Sequence, residues 1–450
     1  MSRAPEVHLT AGSPEPRYTP SRDDTFGILV IGDFAGRGAQ GSLANRPALP
    51  VDRDDLDSAL RHLGTSVPLP VVDGGNPVRM SIHSMEGFDP DRLLASVPLL
   101  RRLHEERERI GTRGNDPAPE PEGGILDRVL SASGEEAEVG SALDAFIERA
   151  VAPYRIEGPD PELEEARAAL DRERATQLRR ILADPAFRAL EARWRGLELL
   201  CRRLDTGPRL KIQVLQAAPS ELARAAVEGT LATVLSRTAE SALDGAPWSL
   251  CLVDHAFGGS AAELAALQGL ARLGAATGTT FLAEGDPTLL ALEGEAARSW
   301  AALRASAGGG HIGLLLPRFL LREPWDPEEN PVHLMRFREF DDGVPEPREL
   351  LWGHPGILAA ILLGDAFARD GWEMRPDRLR TVERLPIALH RTESETVALP
   401  ATELPLNPDL VHELSAAGFI PVVGRPGEGR VDLVGLRSIA GEPLKGRWDA

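Results

Sequence analysis

Three groups of residues have the types and spacing that chemistry could use. Gly36, Gly38 and Gly41 satisfy G-x-G-x-x-G directly after the apolar run FGILVIGDF at 26–34. Such a loop holds a pyrophosphate when a helix opens at the glycines, because its free N–H groups then face the anion. Here the chain continues SLANRPALPVD, with Pro47, Pro50 and no helical period, so a flexible loop is expected instead of a nucleotide site. Asp254-His255 closes the apolar run WSLCLV, a position where ligand-binding residues gather in open α/β sheets. No nucleophile and no metal-ligand spacing accompanies the pair, so local capping is expected. Arg318 and Arg322, in LPRFLLR, have the charge to meet a phosphate, but no glycine-rich loop adjoins them. Salt bridges or subunit contacts are the expected use. The pairs Asp54-Asp55 and Asp341-Asp342 lie in polar stretches and are expected to be solvated. H-E-x-x-H, zinc-spaced cysteines, G-x-S-x-G and a P-loop lysine are all missing, and the ten histidines are scattered. No catalytic residue, metal or cofactor is therefore expected, and the protein is read as a non-enzyme.

The elements that would position these residues read as strand and helix in alternation. The best-marked stretch is DPAFRALEARWRGLELLCRRLDTGPRLKIQVLQ, at 184–216. Asp184 is a fitting N-cap and Pro185 a fitting first helical residue. Phe187, Leu190, Trp194, Leu197, Leu200, Cys201 and Leu204 recur at three and four, which places them on one helical face. Leu210, Ile212 and Val214 then alternate with Lys211 and Gln213, the period of a strand. Further strands are expected at 78–82, 248–253, 279–283, 311–316, 385–389, 397–399, 418–423 and 431–434. Helices are expected at 52–63, from 89 through the leucines to 110, at 162–182, 220–236, 260–273, 350–372 and 409–417. Short helices are also expected within 125–151. The fold class is α/β, with mixed or parallel sheets covered by helices.

The chain has 450 residues, enough for two or three domains, and carries 50 basic and 69 acidic residues for a net charge of −19. That balance argues against nucleic-acid or anionic-membrane binding. The beginning of the chain has no apolar leader and no apolar run is long enough to span a bilayer, so a cytoplasmic protein is expected. Cys201 and Cys251 sit in apolar segments and are expected to be buried and free, as in a reducing compartment.

The segment ILADPAFRALEARWRGLELL followed by RLKIQVL resembles the large subunit of the type VI secretion contractile sheath. So do SLCLVDHAFGGSAAELAALQGLARLGAATGTTFLAEGDPTLL, LPRFLLR, the W-G segment before the 350–372 run, and ELSAAGFIP. The stretch departs from the family where His and Pro commonly precede the Phe; Gly278 and Thr280 stand there before Phe281. ILVIGDFAGR, VDRDDLDSAL and FDPDRLLASVPLLRRLHEER resemble, in order, the small subunit of the same sheath. The resemblance implies both subunits fused in one chain. It divides the chain into a disordered tail at 1–24, a small-subunit-like domain at 25–110, a linker at 111–124 and a large-subunit-like α/β domain at 125–450. It also implies a C-terminal assembly region that these residues do not include.

The function implied is that of a structural sheath subunit, assembling by strand addition and helix packing. Its partners would be itself or other sheath subunits, with inner-tube and baseplate proteins and a recycling unfoldase as further candidates. A non-polymerising accessory or baseplate-associated protein is the alternative, and a nucleotide-binding enzyme using the 36–41 loop a distant third. Candidate core or interface residues are Trp194 and Leu197 on the marked helix, Arg318, Phe319 and Arg322 in LPRFLLR, Trp352, Phe367 and Trp372 in the apolar 350–372 run, and Phe419.

Overall fold

A computed structural model describes residues 25–38, 41–73, 76–113, 161–340, 344–378, 380–391 and 396–449. The N-terminal tail, the helices expected within 125–151, and Asp341-Asp342 lie outside the described residues. Strand β1 (Phe26–Gly32) leads through β2 (Ala48–Pro50) to helix α1 (Leu56–Leu63) and the hairpin β3 (Ser66–Asp73) and β4 (Asn76–Ser81). Helices α2 (Pro90–Ser96), α3 (Pro98–Arg113), α4 (Pro161–Leu182) and α5 (Pro185–Arg203) come next. Then follow β5 (Leu210–Gln216), α6 (Pro219–Glu228), α7 (Thr230–Leu243), β6 (Leu250–Phe257), α8 (Ala261–Thr277) and β7 (Thr280–Gly285). Helix α9 (Gly294–Arg304), β8 (Ile312–Leu316), β9 (Phe319–Leu320), β10 (Trp352–Gly353) and α10 (Gly356–Asp370) continue the chain. The last elements are β11 (Thr381–Glu383), β12 (Leu389–Arg391), β13 (Thr396–Ala398), α11 (Pro408–Ala417), β14 (Phe419–Gly424) and β15 (Arg430–Leu433).

Nine strands form one sheet in the order β11-β15-β14-β8-β7-β6-β1-β5-β2. The run from β14 to β5 is parallel, and antiparallel strands close both margins. Strand β1 pairs along its whole length with β5, Phe26 opposite Leu210 through Gly32 opposite Gln216, and on its other side with β6. A strand from the first part of the chain thus lies inside a sheet built mostly from the second, with β2 of the first part at its margin.

Side chains alternate between two cores because strand residues alternate between faces. Phe26, Ile28 and Val30 of β1, with Leu250 and Leu252 of β6, join the core that holds α5 and α10. Leu29 and Ile31, with Cys251 and Val253, join the core under α6, α7 and α8. Burial on both faces is what a parallel sheet requires.

Helix α5 forms as its sequence predicts. The Asp184 carboxylate accepts from the N–H groups of Ala186 and Phe187 at 3.0 and 2.9 Å, and Pro185 needs no partner. Its apolar stripe is buried, and each such side chain contributes roughly 1.5–3 kcal/mol. Gly196 lets α5 approach α10, since a Cβ there would stand 2.4 Å from Ile357 Cδ1.

Several boundaries differ from those read off the sequence, each for a local reason. The helix expected from 89 to 110 is two helices, broken where Pro98 opens the second. The one expected at 220–236 is also two, divided at Gly229, whose φ of 79° ends the first. Residues 350–355 are not helical: Trp352–Gly353 pairs with β9, and Pro355 caps α10. Strand β3 is absent from the sequence reading because Pro68 and Pro70 interrupt its pattern, which an unshared strand edge tolerates. Helix α3 runs to Arg113, past the expected linker start. The two expected strands near 385–399 are the short β12 and β13.

Candidate functional site

The glycine loop is organised by its own acid. Asp33 accepts from the N–H groups of Gly36 and Gly38 at 3.1 and 2.8 Å, and from Gln216 Nε2 at 2.6 Å. Those are the amides a phosphate would need, and a carboxylate already occupies them with like charge. The next helical element is the one-turn 43–45 segment, not a helix opening at the glycines. Positive φ at Gly36, Gly38 and Gly41 accounts for the residue type.

The Asp254-His255 pair does lie at a built cleft. The β6–β7 ladder shifts register between Val253 and Ala256, so both residues sit where the pairing is interrupted. Irregularities of this kind re-aim side chains and recur beside functional sites. Gly32, at the end of β1, leaves room for them: a Cβ there would stand 2.9 Å from Asp254 Cβ. The cleft occupies about 270 Å³ at the carboxyl ends of β1, β6 and β7. It is floored by apolar groups such as Leu197, Leu252 and Ile357, and its polar lining is Arg193, Asp254, His255, Glu284, Arg318 and His354.

Both arginines there are paired. Arg193 Nε donates to Asp254 Oδ2. Arg318 donates twice to Glu403, at 2.8 and 2.6 Å. Among the described residues Glu284 has one charged contact, a longer one, 3.8 Å from Arg318 Nε. Burial pushes the Glu284 carboxyl up to about 7; Arg318 acts against that, and Glu403, Asp254 and Asp286 act with it. Burial lowers His354 to about 4 and also lowers His255. His354 Nδ1 accepts from the Gly356 N–H at 3.1 Å, and the Val253 backbone acts against the fall in its pKa.

A second polar cluster is more densely paired, and both of its arginines meet Oε1 of one carboxylate, leaving the buried Oε2 without a partner among the described residues. Glu191, fully buried on α5, receives Arg195 at 2.7 Å and Arg322 at 2.8 Å. Arg322 also pairs with Glu339, and Arg195 with Asp89 before α2. Burial alone would push the Glu191 carboxyl up, but Arg322 and Arg195 outweigh it and hold it below the usual carboxylate range. The arginines of WRGL and of LPRFLLR therefore meet on one carboxylate.

Of the residues singled out from sequence, Trp194, Leu197, Phe319, Phe367 and Phe419 are buried within this chain. Trp194 donates its indole N–H to the Phe34 carbonyl at 2.9 Å and meets the Phe34 ring edge-on, joining α5 to the end of β1. Trp352 is 5% exposed and lines the cleft, with its indole on Pro347 O. Trp372 packs against Phe367 and under Arg447. Arg318 borders the cleft, while Arg322 lies in the Glu191 cluster. Arg193, Glu284 and His354 were not singled out from sequence. Their one signal was position, since Glu284 ends a strand parallel to the one Asp254 ends. Among the described residues no His, Cys, Asp and Glu group has the arrangement to hold a metal, and no helix is long and apolar enough to cross a membrane.

A mostly parallel sheet covered on both faces, with buried ion pairs at its helix seams, defines the chain as an α/β protein. Comparison with known families then places it. Residues 164–297 and 291–440 match VipB, described as EvpB/VC_A0108, tail sheath N-terminal domain. Residues 21–112 match the family described as Type VI secretion system, VipA, VC_A0107 or Hcp2. The chain belongs to the VipB tail sheath family and carries a VipA-like segment ahead of it. It is 26% identical over 300 residues to the type VI secretion system sheath protein TssC1 of Pseudomonas aeruginosa, covering 60% of each chain. The chain thus spans about three fifths of the length of that curated relative.

Proposed function

We propose that this protein is a structural subunit of a type VI-like contractile sheath, one polypeptide supplying what small and large subunits supply separately. One observation carries this: matches to both families lie in order on one chain. The interior position of β1 in the sheet supports it, since a strand bonded on both edges cannot be shed without breaking two ladders. The work is mechanical, a change between two packings of neighbouring subunits, with no covalent bond made or broken.

The contacts would be strand addition and helix docking. The margins of the large sheet, β2 and β11, have three residues each, and Pro50 ends β2. Short, proline-marked margins resist pairing. The β3–β4 hairpin has the longest strands outside the large sheet among the described residues, eight and six residues, and although Pro68, Pro70 and Pro77 mark it too, its length makes it the better candidate. Its partners are copies of itself or other sheath subunits, with an inner tube, a baseplate protein and a recycling unfoldase beyond them. Electron microscopy of the full chain, alone and mixed with purified sheath and inner-tube proteins, tests this. Tubes or rings are expected; monodisperse monomer in every mixture overturns it.

A further inference from the structure

The charges of the cleft can be matched one by one, and the match leaves a remainder. Arg193 goes to Asp254 through Oδ2, and Asp254 Oδ1 accepts from no described residue. Arg318 goes to Glu403 through two bonds. His255 reaches toward Glu263, 3.7 Å away. Glu284 accepts no hydrogen bond from a described residue, and its single cationic contact, Arg318 at 3.8 Å, already serves another acid. Its side chain is 22% exposed, mostly withdrawn from water but open at the cleft.

The surroundings of this remainder are amphipathic. Leu197, Leu200, Leu252 and Ile357 give an aliphatic wall, and Trp352 contributes its ring. The acids sit at the end of strands β6 and β7, where the interrupted ladder presents Asp254. A single carboxyl in need of a cation, at the polar end of an apolar cleft, calls for a charged head on an apolar stem.

We propose that this cleft is a receptor for an ammonium or guanidinium group on an aliphatic stem, with Glu284 and the open oxygen of Asp254 as its acceptors. The inference goes beyond the sheath role and stands without it. The cation has two possible sources, a lysine or arginine side chain of an assembling neighbour, or a free amine. In either case the entering cation favours ionised Glu284 and releases its proton. The charges facing Glu284 are Arg318, Glu403, Asp254 and Asp286, and of these only Arg318 opposes its protonation.

Titration calorimetry on the full chain tests this with butylguanidinium and butylamine as probes and butyrate as the anionic control. Saturable binding of the cations and none of butyrate is expected. Affinity should be about tenfold weaker near pH 6 than near pH 8, following the ionised fraction of a carboxyl titrating at about 7. The heat near neutral pH should change with the ionisation enthalpy of the buffer. Glu284→Gln should weaken binding at least about tenfold, while its melting curve shows that it folds; Asp254→Asn, measured the same way, should also weaken it. No saturation up to about 10 mM, butyrate binding as tightly as the cations, or unchanged affinity in a folded Glu284→Gln variant each overturns the proposal. Sedimentation in saturating butylguanidinium separates the sources. Loss of self-association assigns the site to a neighbour's side chain, and unchanged self-association alongside calorimetric binding assigns it to a free amine.

Discussion

Helix α5 carries two polar clusters, and they are built on opposite terms. Around Glu191, three carboxylates and two guanidiniums interlock: Asp89, Glu191 and Glu339 with Arg195 and Arg322. Around Arg193, two residues further along the same helix, one carboxyl is left over. The Glu191 cluster is withdrawn from water and Glu284 is mostly so, and both bear a cost of desolvating charge. The first offsets it with short bonds and draws α5, the start of α2 and the segment after β9 together. The second meets the same cost by keeping Glu284 partly protonated near neutral pH. Dense charge pairing therefore marks the seam that holds the fold, with Glu191 Oε2 left without a partner among the described residues, whereas in the cleft a whole carboxyl, Glu284, has no hydrogen bond from a described side chain.

The strongest way to break that contrast is to remove a cation from the Glu191 cluster. Arg322→Met leaves Glu339 a buried acid without a cation and Glu191 with Arg195 alone. A loss of about 3–5 kcal/mol in a urea titration near neutral pH is expected, the usual penalty for orphaning one side of a buried pair. A loss below about 1 kcal/mol would mean that water already serves these carboxylates. The difference should shrink in acid, because Glu191 has a depressed folded-state pKa. Its contribution is present above the ordinary carboxylate range and disappears as pH falls through the lower folded value.

Removing the charge of the open cluster should have the opposite sign. The Glu284 carboxyl titrates near 4.5 unfolded and about 7 folded. Between those values the unfolded chain has released its proton and the folded chain has not, so stability falls as pH rises. Above about 7 the full penalty is present, at most about 3 kcal/mol. Glu284→Gln should therefore raise the melting temperature near pH 8 and leave it unchanged near pH 4. Destabilisation at both values would show that the carboxyl is already well paired and would remove the contrast.

What was legible in the sequence follows the same division. Helix α5 could be read completely, from the Asp184 cap to the stripe through Trp194, because its information is local and periodic. Most strands of the sheet were readable for the same reason. Strand β3 was not, since Pro68 and Pro70 hide its alternation, and the break at Gly229 depends on one backbone angle. The pairing of Arg195 and Arg322 on Glu191 had no sequence signal beyond the motifs that contain them. Glu284, Arg193 and His354 come from three separate elements, and only the parallel sheet brings their ends to one side. Distance along the chain, not residue type, concealed the cleft.

The smallest effect sharpens the comparison at Gly196, the residue after Arg195 on the same helix. Gly196 faces α10, and an added methyl would meet Ile357 Cδ1 at 2.4 Å, the mobile end of a side chain that lines the cleft. Gly196→Ala brings a helix-propensity gain of about 1 kcal/mol against an overpacking cost of about 1–3 kcal/mol. A net loss within about 2 kcal/mol is expected in urea titration, as the difference of those terms. Adding Ile357→Val removes the colliding methyl, so the double variant should be more stable than Gly196→Ala alone. The strain is directed at Ile357, away from Glu191, so the acid dependence of the Glu191 cluster should stay as it was. Equal loss in the single and double variants would show that α5 moves as a rigid rod and disturbs both clusters together.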